Sequence, residues 1–218
     1  SNFYTAEKAK DLAYLDKGYT NGTLTNEDCQ FGTGNSGWKV ANDYDDYLLP
    51  AWTINGEQCK DYEKSLYINT WSNEADSDNS GMFVPFFEYW VGDGDRLGAA
   101  TIIGTTPVSA GYYKVSALVR VRRTNGSADY YHGITMKANN ELPVNVCDGT
   151  NPIKNSDSQP DTRFNVKTAE AYAYLAEDGN LTLTFTVEEG CNLSWLSFRN
   201  VKYSAITQAE YEAATSHG

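Results

Sequence analysis

Five aromatic residues lie within the eight positions from Phe83 to Trp90, the densest aromatic run of the chain. Strand alternation would place one set of their side chains in a core and leave the other set facing solvent, a second layer or a ligand. A flat ring suits the C–H face of a sugar, while nearby carboxylate, amide or guanidinium groups bond the sugar hydroxyls. The run therefore predicts a ligand platform, and a hydrophobic flap packed on the rest of the protein is the alternative.

The candidate ligand-binding residues are side chains of this run, two further tryptophans, and polar or aromatic residues that flank Asn125-Gly126. They are Trp90, Tyr89, Phe86, Phe87, Trp71, Trp52, Arg122, Asp129, Tyr130 and His132. Arg120 belongs to the same polar group. Trp71 lies in a strand pattern that favours core packing, and each polar residue taken alone is more often part of a solvated strand face.

The candidate catalytic residues are the carboxylates Glu88, Asp93 and Asp95, which lie in or near the aromatic run. Two carboxylates about 5–9 Å apart can hydrolyse a glycoside, but an acidic chain contains many accidental pairs. The sequence has no GxSxG, HExxH or P-loop motif. Because His217 lies in the tail, His132 is the one candidate base for a triad. We therefore predict that the chain is not an enzyme.

The four cysteines are Cys29, Cys59, Cys147 and Cys191. They form no CxxC pair and the chain has only two histidines, which argues against a zinc site. An even number permits two disulfides, and proximity along the chain favours Cys29–Cys59 and Cys147–Cys191. Four buried free thiols are the alternative.

The elements that would position these residues are short strands separated by clusters of Gly, Asn, Asp and Ser. Alternation is clearest over residues 112–123, where one predicted core face contains Tyr113, Val115, Ala117, Val119 and Val121. A second core face contains Leu181, Leu183, Phe185 and Val187. Asn125-Gly126 predicts a hairpin turn into a return strand from Tyr130 to Ala138.

The remaining segments are assigned by composition. Residues 41–63 and 148–163 have the composition of loops. Residues 5–16 predict a short helix capped by Thr5, and the Ala-rich residues 168–176 predict one or two helical turns. Thr207 predicts the start of a helix in the tail.

The overall composition is that of an aromatic, acidic protein, with 16 Tyr, 8 Phe and 5 Trp among 218 residues and a formal net charge of -12. A field of that sign repels phosphate backbones and anionic lipids, so nucleic acid and membranes are not predicted partners. No apolar run approaches the ~20 residues of a membrane span. The chain opens with Ser1, and we expect a mature or excised part of a longer exported protein that is secreted, periplasmic or on the cell surface.

Three strand signatures in a fixed order carry a resemblance to a known family. They are Ser65-Leu66-Tyr67-Ile68-Asn69-Thr70-Trp71, residues 99–115 (AATIIGTTPVSAGYYKV) and residues 192–203 (NLSWLSFRNVKY). These segments resemble the galactose-binding-domain-like β-sandwiches that serve as carbohydrate-binding modules in exported proteins of glycan-degrading gut bacteria. The resemblance implies an all-β jelly-roll sandwich over residues 19–204, a short N-terminal helix or linker over residues 1–18, and a tail over residues 205–218. Relatives cross the region of the aromatic run with a shorter connection, so the resemblance also implies that this run is an insertion.

The resemblance also implies a function and leaves one cofactor open. The implied function is non-catalytic carbohydrate binding that attaches a larger exported protein to a neutral plant or host polysaccharide. A structural or interaction spacer without a ligand and a small glycan-active hydrolase are the alternatives. Relatives often hold a structural calcium near the termini, but Arg199 stands where an Asp is common, which argues against calcium. Asp16, Asn21 and Asp28 are possible oxygen donors, with a solvated loop as the alternative.

Overall fold

The architecture is that of a β-sandwich in the computed structural model of the chain. The structure describes residues 19–20, 23–26, 39–40, 47–60, 66–69, 86–128, 130–146, 152–156 and 159–216. These residues form two antiparallel sheets whose apolar faces pack against each other. The all-β sandwich expected from the sequence is therefore confirmed, whereas the predicted helix at 5–16 lies outside the described residues.

The first sheet has eight strands in the order β1-β2-β15-β9-β13-β12, with β7 also paired to β15 and β6 paired to β7. Their bounds are β1 (Tyr19–Thr20), β2 (Thr23–Asn26), β6 (Leu66–Asn69), β7 (Phe86–Trp90), β9 (Gly111–Arg123), β12 (Pro152–Ser156), β13 (Gln159–Leu175) and β15 (Leu193–Ile206).

The second sheet has seven strands in the order β11-β10-β14-β8-β4-β3, with β5 paired to β4. Their bounds are β3 (Lys39–Val40), β4 (Tyr47–Ile54), β5 (Glu57–Lys60), β8 (Ala100–Val108), β10 (Ile134–Ala138), β11 (Val144–Asn145) and β14 (Gly179–Val187). A short helix α1 (Gln208–Thr215) follows β15, and the Thr207 hydroxyl caps it by accepting a hydrogen bond from the Glu210 N–H at 3.1 Å.

The core lies between the two sheets and follows the period-2 pattern of the sequence. The side chains predicted to face inward on β9 and β14 are all buried: Tyr113, Val115, Ala117, Val119, Val121, Leu181, Leu183, Phe185 and Val187. Phe198 of the first sheet stacks on Phe185 of the second, with ring centroids 4.5 Å apart. Apolar burial of this kind is the main stabilising term of the fold.

The Ala-rich segment predicted to form helical turns is instead part of β13. Ala169, Ala171 and Ala173 all face the core at alternate positions. Alanine has a high helix propensity, but the sheet pairing with β9 overrides it because tertiary packing outweighs that weak preference.

Three other segments differ from the sequence predictions. Residues 41–63 include β4 and β5, and residues 148–163 include β12 and the start of β13, so neither segment is only a loop. The part of the aromatic run from Phe86 to Trp90 is a regular strand of the first sheet rather than an insertion. β5 (EQCK) and β12 (PIKNS) are rich in polar residues, and that composition is the reason they resembled loops.

Asn125-Gly126 forms a turn, but the turn does not join two paired strands. The Ser127 N–H donates to the Thr124 carbonyl at 3.1 Å, and Gly126 has a φ of 76°. β9 lies in the first sheet and β10 in the second, so the chain crosses between sheets here. The return strand begins at Ile134 rather than Tyr130. Among the described residues, no helix is long and apolar enough to cross a membrane.

Candidate functional site

The outer face of the first sheet brings two tryptophans and an arginine into one row across three strands. Trp90 on β7 is the register partner of Trp195 on β15, and Trp195 is the partner of Arg122 on β9. Directly opposed residues of antiparallel strands share a face and lie close together. Trp90 is 41% exposed and Trp195 is half-buried, so this row places indole surface at the outside of the sandwich.

The guanidinium of Arg122 is held at the end of this row by two loops. Its Nη1 lies 3.1 Å from Asp93 Oδ1, and its Nη2 donates to Asn125 Oδ1 at 3.1 Å. The Asn125 N–H also donates to the Asp93 carbonyl at 2.8 Å, which ties the β7–β8 loop to the β9–β10 turn. The Arg122 side chain is 4% exposed and that of Asp93 is 54% exposed. A solvent-facing carboxylate therefore borders the tryptophan row.

Arg120 supports the row from the neighbouring positions on the sheet. Its Cζ lies 4.3 Å from the ring centroid of Trp195 and 5.5 Å from that of Phe86, and its Nε donates to Ser197 Oγ at 3.3 Å. Arg120 is only 2% exposed. A buried cation against an indole face is attractive and restricts the ring. Arg120 thus packs against one face of the Trp195 ring from within the protein.

The structure places most of the predicted aromatic platform inside the protein. Phe86, Phe87, Tyr89 and Trp52 are all buried, which removes these side chains from any contact with a ligand at the surface. Phe87 and Tyr89 face the core as β7 alternates, whereas Phe86 lies on the outer face under Arg120. The Tyr89 hydroxyl donates to the Gly98 carbonyl at 3.1 Å, and burial raises its pKa. Of the four candidates in the aromatic run, Trp90 alone is exposed.

Tyr130, which is exposed, and His132, which is half-buried, form a separate pair beside the crossing loop. Tyr130 is exposed and its ring stacks on that of His132 with centroids 5.2 Å apart. The buried Asn192 side chain fixes this loop, since its Oδ1 accepts from the His132 N–H at 3.2 Å and its Nδ2 donates to the Ala128 carbonyl at 3.2 Å. Trp71 and Asp129 lie outside the described residues. The binding roles of Tyr130 and His132 stay predictions.

Two of the candidate catalytic carboxylates are either buried or already paired with an arginine. Glu88 is buried at the register position beside Ser197, and Asp93 is bound to Arg122. Within the described part of the chain, no group of three or more His, Cys, Asp or Glu side chains is arranged to hold a metal ion. The proposed calcium donors Asp16, Asn21 and Asp28 lie outside that part.

Cys191 is a free buried thiol, so the predicted Cys147–Cys191 disulfide is wrong. Burial raises the pKa of this thiol, and its Sγ lies 3.6 Å from the Leu97 carbonyl oxygen and 3.7 Å from that of Leu193. Proximity along the chain did not predict that Cys191 is a free thiol. The segment between β14 and β15 places its side chain in the interior beside Gly133. The Cys29–Cys59 pairing lies outside the described side chains.

The sequence did not predict Trp195, Asp93 or Asn125 as ligand-binding residues. Trp195 alternates with the buried residues Leu196 and Phe198, and that alternation already places its side chain on the outer face. The signal for Asp93 and Asn125 is weaker, because both lie in turns whose approach to Arg122 depends on tertiary structure. The row itself joins β7 to β15 and could not be read from local pattern.

No known family model matches the chain, and no curated protein sequence matches it. Solved structures with related folds include TmCBM61 in complex with beta-1,4-galactotriose, which is 16% identical with a TM-score of 0.40 over 71% of this chain and 88% of the other. The K1 cleaved adhesin domain of Lys-gingipain from Porphyromonas gingivalis W83 is 10% identical, with a TM-score of 0.46 over 85% and 99%. A CBM4 structure is 13% identical, with a TM-score of 0.37 over 79% and 99%. Identities and TM-scores this low do not assign the chain to a family or identify a ligand.

Proposed function

We propose that this chain is a non-catalytic carbohydrate-binding module that binds a neutral glycan on the outer face of its first sheet. One observation carries the proposal: Trp90 and Trp195 lie side by side, next to an arginine that is fixed by an exposed carboxylate. Indole faces suit the apolar face of a pyranose, and Asp93 suits its hydroxyls. The net charge of -12 favours a neutral rather than an anionic ligand.

The expected affinity is modest. Burying about 100 Å² of sugar against an aromatic surface contributes about 2.5 kcal/mol at about 25 cal/mol per Å², before the costs of association are subtracted. Two tryptophans and a few hydrogen bonds then place the dissociation constant between about 1 mM and about 1 μM. Such a module would serve to hold a larger exported protein on a polysaccharide, where linked domains add avidity.

The test is retention in affinity gels that contain galactan, xylan, mannan or β-glucan, followed by calorimetry with short oligosaccharides such as beta-1,4-galactotriose. Trp90→Ala should reduce retention at least tenfold with little change in melting temperature, because the side chain it removes is exposed. Leu142→Ala is the matched control, since Leu142 is also an exposed large apolar residue and lies far from the row in the chain.

Three outcomes would contradict the proposal in different directions. Absence of retention on every polysaccharide would favour a spacer or protein-interaction module without a glycan ligand. Release of reducing sugar that disappears in Glu88→Gln or Asp93→Asn would favour a small hydrolase instead. Equal retention of Trp90→Ala and the wild-type protein would show that the glycan binds elsewhere, with the Tyr130–His132 pair as the next surface to test.

A further inference from the structure

A second group of aromatic side chains, one exposed and two half-buried, lies at the other end of the same sheet face. Tyr112 on β9, Tyr174 on β13 and Tyr211 on α1 form this group, which we term the tyrosine cluster. The rings of Tyr112 and Tyr174 stack with centroids 4.5 Å apart, and Tyr211 lies 5.0 Å from Tyr112. Tyr112 and Arg122 both face outward on β9, about 33 Å apart at about 3.3 Å per residue. The cluster is therefore remote from the Trp90–Trp195 row.

Tyr174 offers an open ring face at the border of the sheet. It is 47% exposed, and one face of its ring is covered by Tyr112. In the described part of the chain, β12 pairs with β13 only as far as Asn165, so Tyr174 lies on a stretch of β13 that pairs with β9 alone. The ring face opposite Tyr112 therefore points away from β9, toward the edge where no described strand pairs with this stretch of β13. Stacking on Tyr112 holds the ring in a fixed orientation.

Glu141 places a carboxylate next to this open face. Its Oε2 accepts a hydrogen bond from the Tyr174 backbone N–H at 2.5 Å, and its Oε1 accepts one from the Tyr211 hydroxyl. The two bonds fix the carboxylate at the sheet edge and leave further lone pairs on both oxygens. A rigid ring face beside a fixed acceptor is the combination that a sugar ring and its hydroxyl groups require.

We infer that the tyrosine cluster is a second saccharide-binding site, with Tyr174 as the stacking platform and Glu141 as the acceptor for sugar hydroxyls. The inference rests on the proposed function, since it assigns the same ligand class, a neutral saccharide, to a second surface. The exposed acidic residues nearby, Glu170 and Glu212, disfavour an anionic sugar. Two sites about 33 Å apart on one face would bind one polysaccharide at two points, which raises avidity by about 10²–10⁴-fold.

The experiment is calorimetry with beta-1,4-galactotriose, cellotriose, xylotriose and mannotriose on the wild-type chain, Trp90→Ala, Tyr174→Ala and the double variant. Tyr174→Phe is the control that keeps the ring, and Glu141→Gln keeps the size but removes the charge of the acceptor. Circular dichroism verifies folding of each variant. We expect two trisaccharides per wild-type chain, one per chain in each single alanine variant, and none in the double variant. Tyr174→Phe should match wild type, and Glu141→Gln should bind several-fold more weakly at the cluster.

The outcomes separate the two proposals. A stoichiometry of one in the wild type, unchanged in Tyr174→Ala and lost in Trp90→Ala, overturns the second site and leaves the proposed function intact. Binding that survives in Trp90→Ala and is lost in Tyr174→Ala supports the second site and overturns the tryptophan row. Absence of binding by the wild type to all four trisaccharides, and to the polysaccharides they represent, overturns both.

Discussion

Gly104 has no side chain, and the Trp52 indole fills the space that a side chain there would take. Replacing Gly104 therefore tests whether Trp52 is a tightly packed core residue. Gly104 is the register partner of Trp52 across β4 and β8. A Cβ on Gly104 would lie 2.7 Å from Trp52 Cζ2 and 2.8 Å from both Cε2 and Cη2. Trp52 is fully buried and its ring lies 5.1 Å from that of Phe198. The indole therefore has no free space to move into.

The expected loss in the free energy of unfolding for Gly104→Ala follows from this clash. Overpacking a tight core costs about 1–3 kcal/mol. The lower entropy of the unfolded alanine chain returns about 0.4–1 kcal/mol. The net loss is about 0–2.6 kcal/mol with a midpoint of about 1.3 kcal/mol, and at about 2–4 °C per kcal/mol for a domain of this size the melting temperature should fall by about 3–5 °C at that midpoint.

Urea denaturation followed by tryptophan fluorescence measures the effect, with the midpoint expected to fall while the m-value stays constant. Gly94→Ala is the matched control, because a Cβ there meets no atom within 4 Å and its backbone is outside the left-handed region. It should match or slightly exceed the wild type. Equal stability of Gly104→Ala and Gly94→Ala would refute the reasoning, since Trp52 would then be loosely held and would return as a ligand-binding candidate.

Three further predictions concern other positions. Gly133→Ala should destabilise more than Gly104→Ala in the same urea assay, because Gly133 has a φ of 99° and its Cβ would lie 2.3 Å from that of Cys191; a milder loss would contradict the close approach. Peptide mapping should find Cys191 alkylated without reduction, slowly in the folded protein and quickly in urea, whereas a peptide linked to Cys147 would contradict the free thiol. The hydrogen bond to Glu141 raises the pKa of Tyr211 to about 12, so its stabilising effect is complete below pH 10 and is lost as the pH rises through about 12. An ultraviolet titration of Tyr211→Phe should lack that late ionisation, and an unchanged curve would contradict the assignment.

The sequence predicted the fold best where alternation is strict. β9 and β14 have apolar residues at every second position, so their inward faces were identified correctly. β13 was misassigned because alanine fits a helix and a closely packed sheet equally well, and only the pairing with β9 decides between them. β4 and β5 were assigned to a loop because their polar and acidic neighbours dominate the local composition.

The candidate site was less predictable than the fold for a topological reason. The aromatic run was correctly selected as notable, but four aromatics in one strand of a two-layer sandwich are mostly core, as Phe87 and Tyr89 show. The exposed surface arises where Trp90 meets Trp195, and that register is set by strands more than a hundred positions apart. Local pattern assigns each side chain to a face, but it does not identify which side chain of another strand will lie beside it.

The position of β15 in the first sheet sets when the nascent chain can complete its fold. Of the described strands, β15 is synthesised last, yet it pairs with β9 on one side and with β7 and β2 on the other. At about 5–20 residues per second, a ribosome exposes these earlier strands for several seconds before their shared partner emerges. Their unpaired edges are then open to aggregation or to chaperones. Because β15 also carries Trp195, the pairing of β15 joins β9 to β7 and β2 and forms the tryptophan row at the same time.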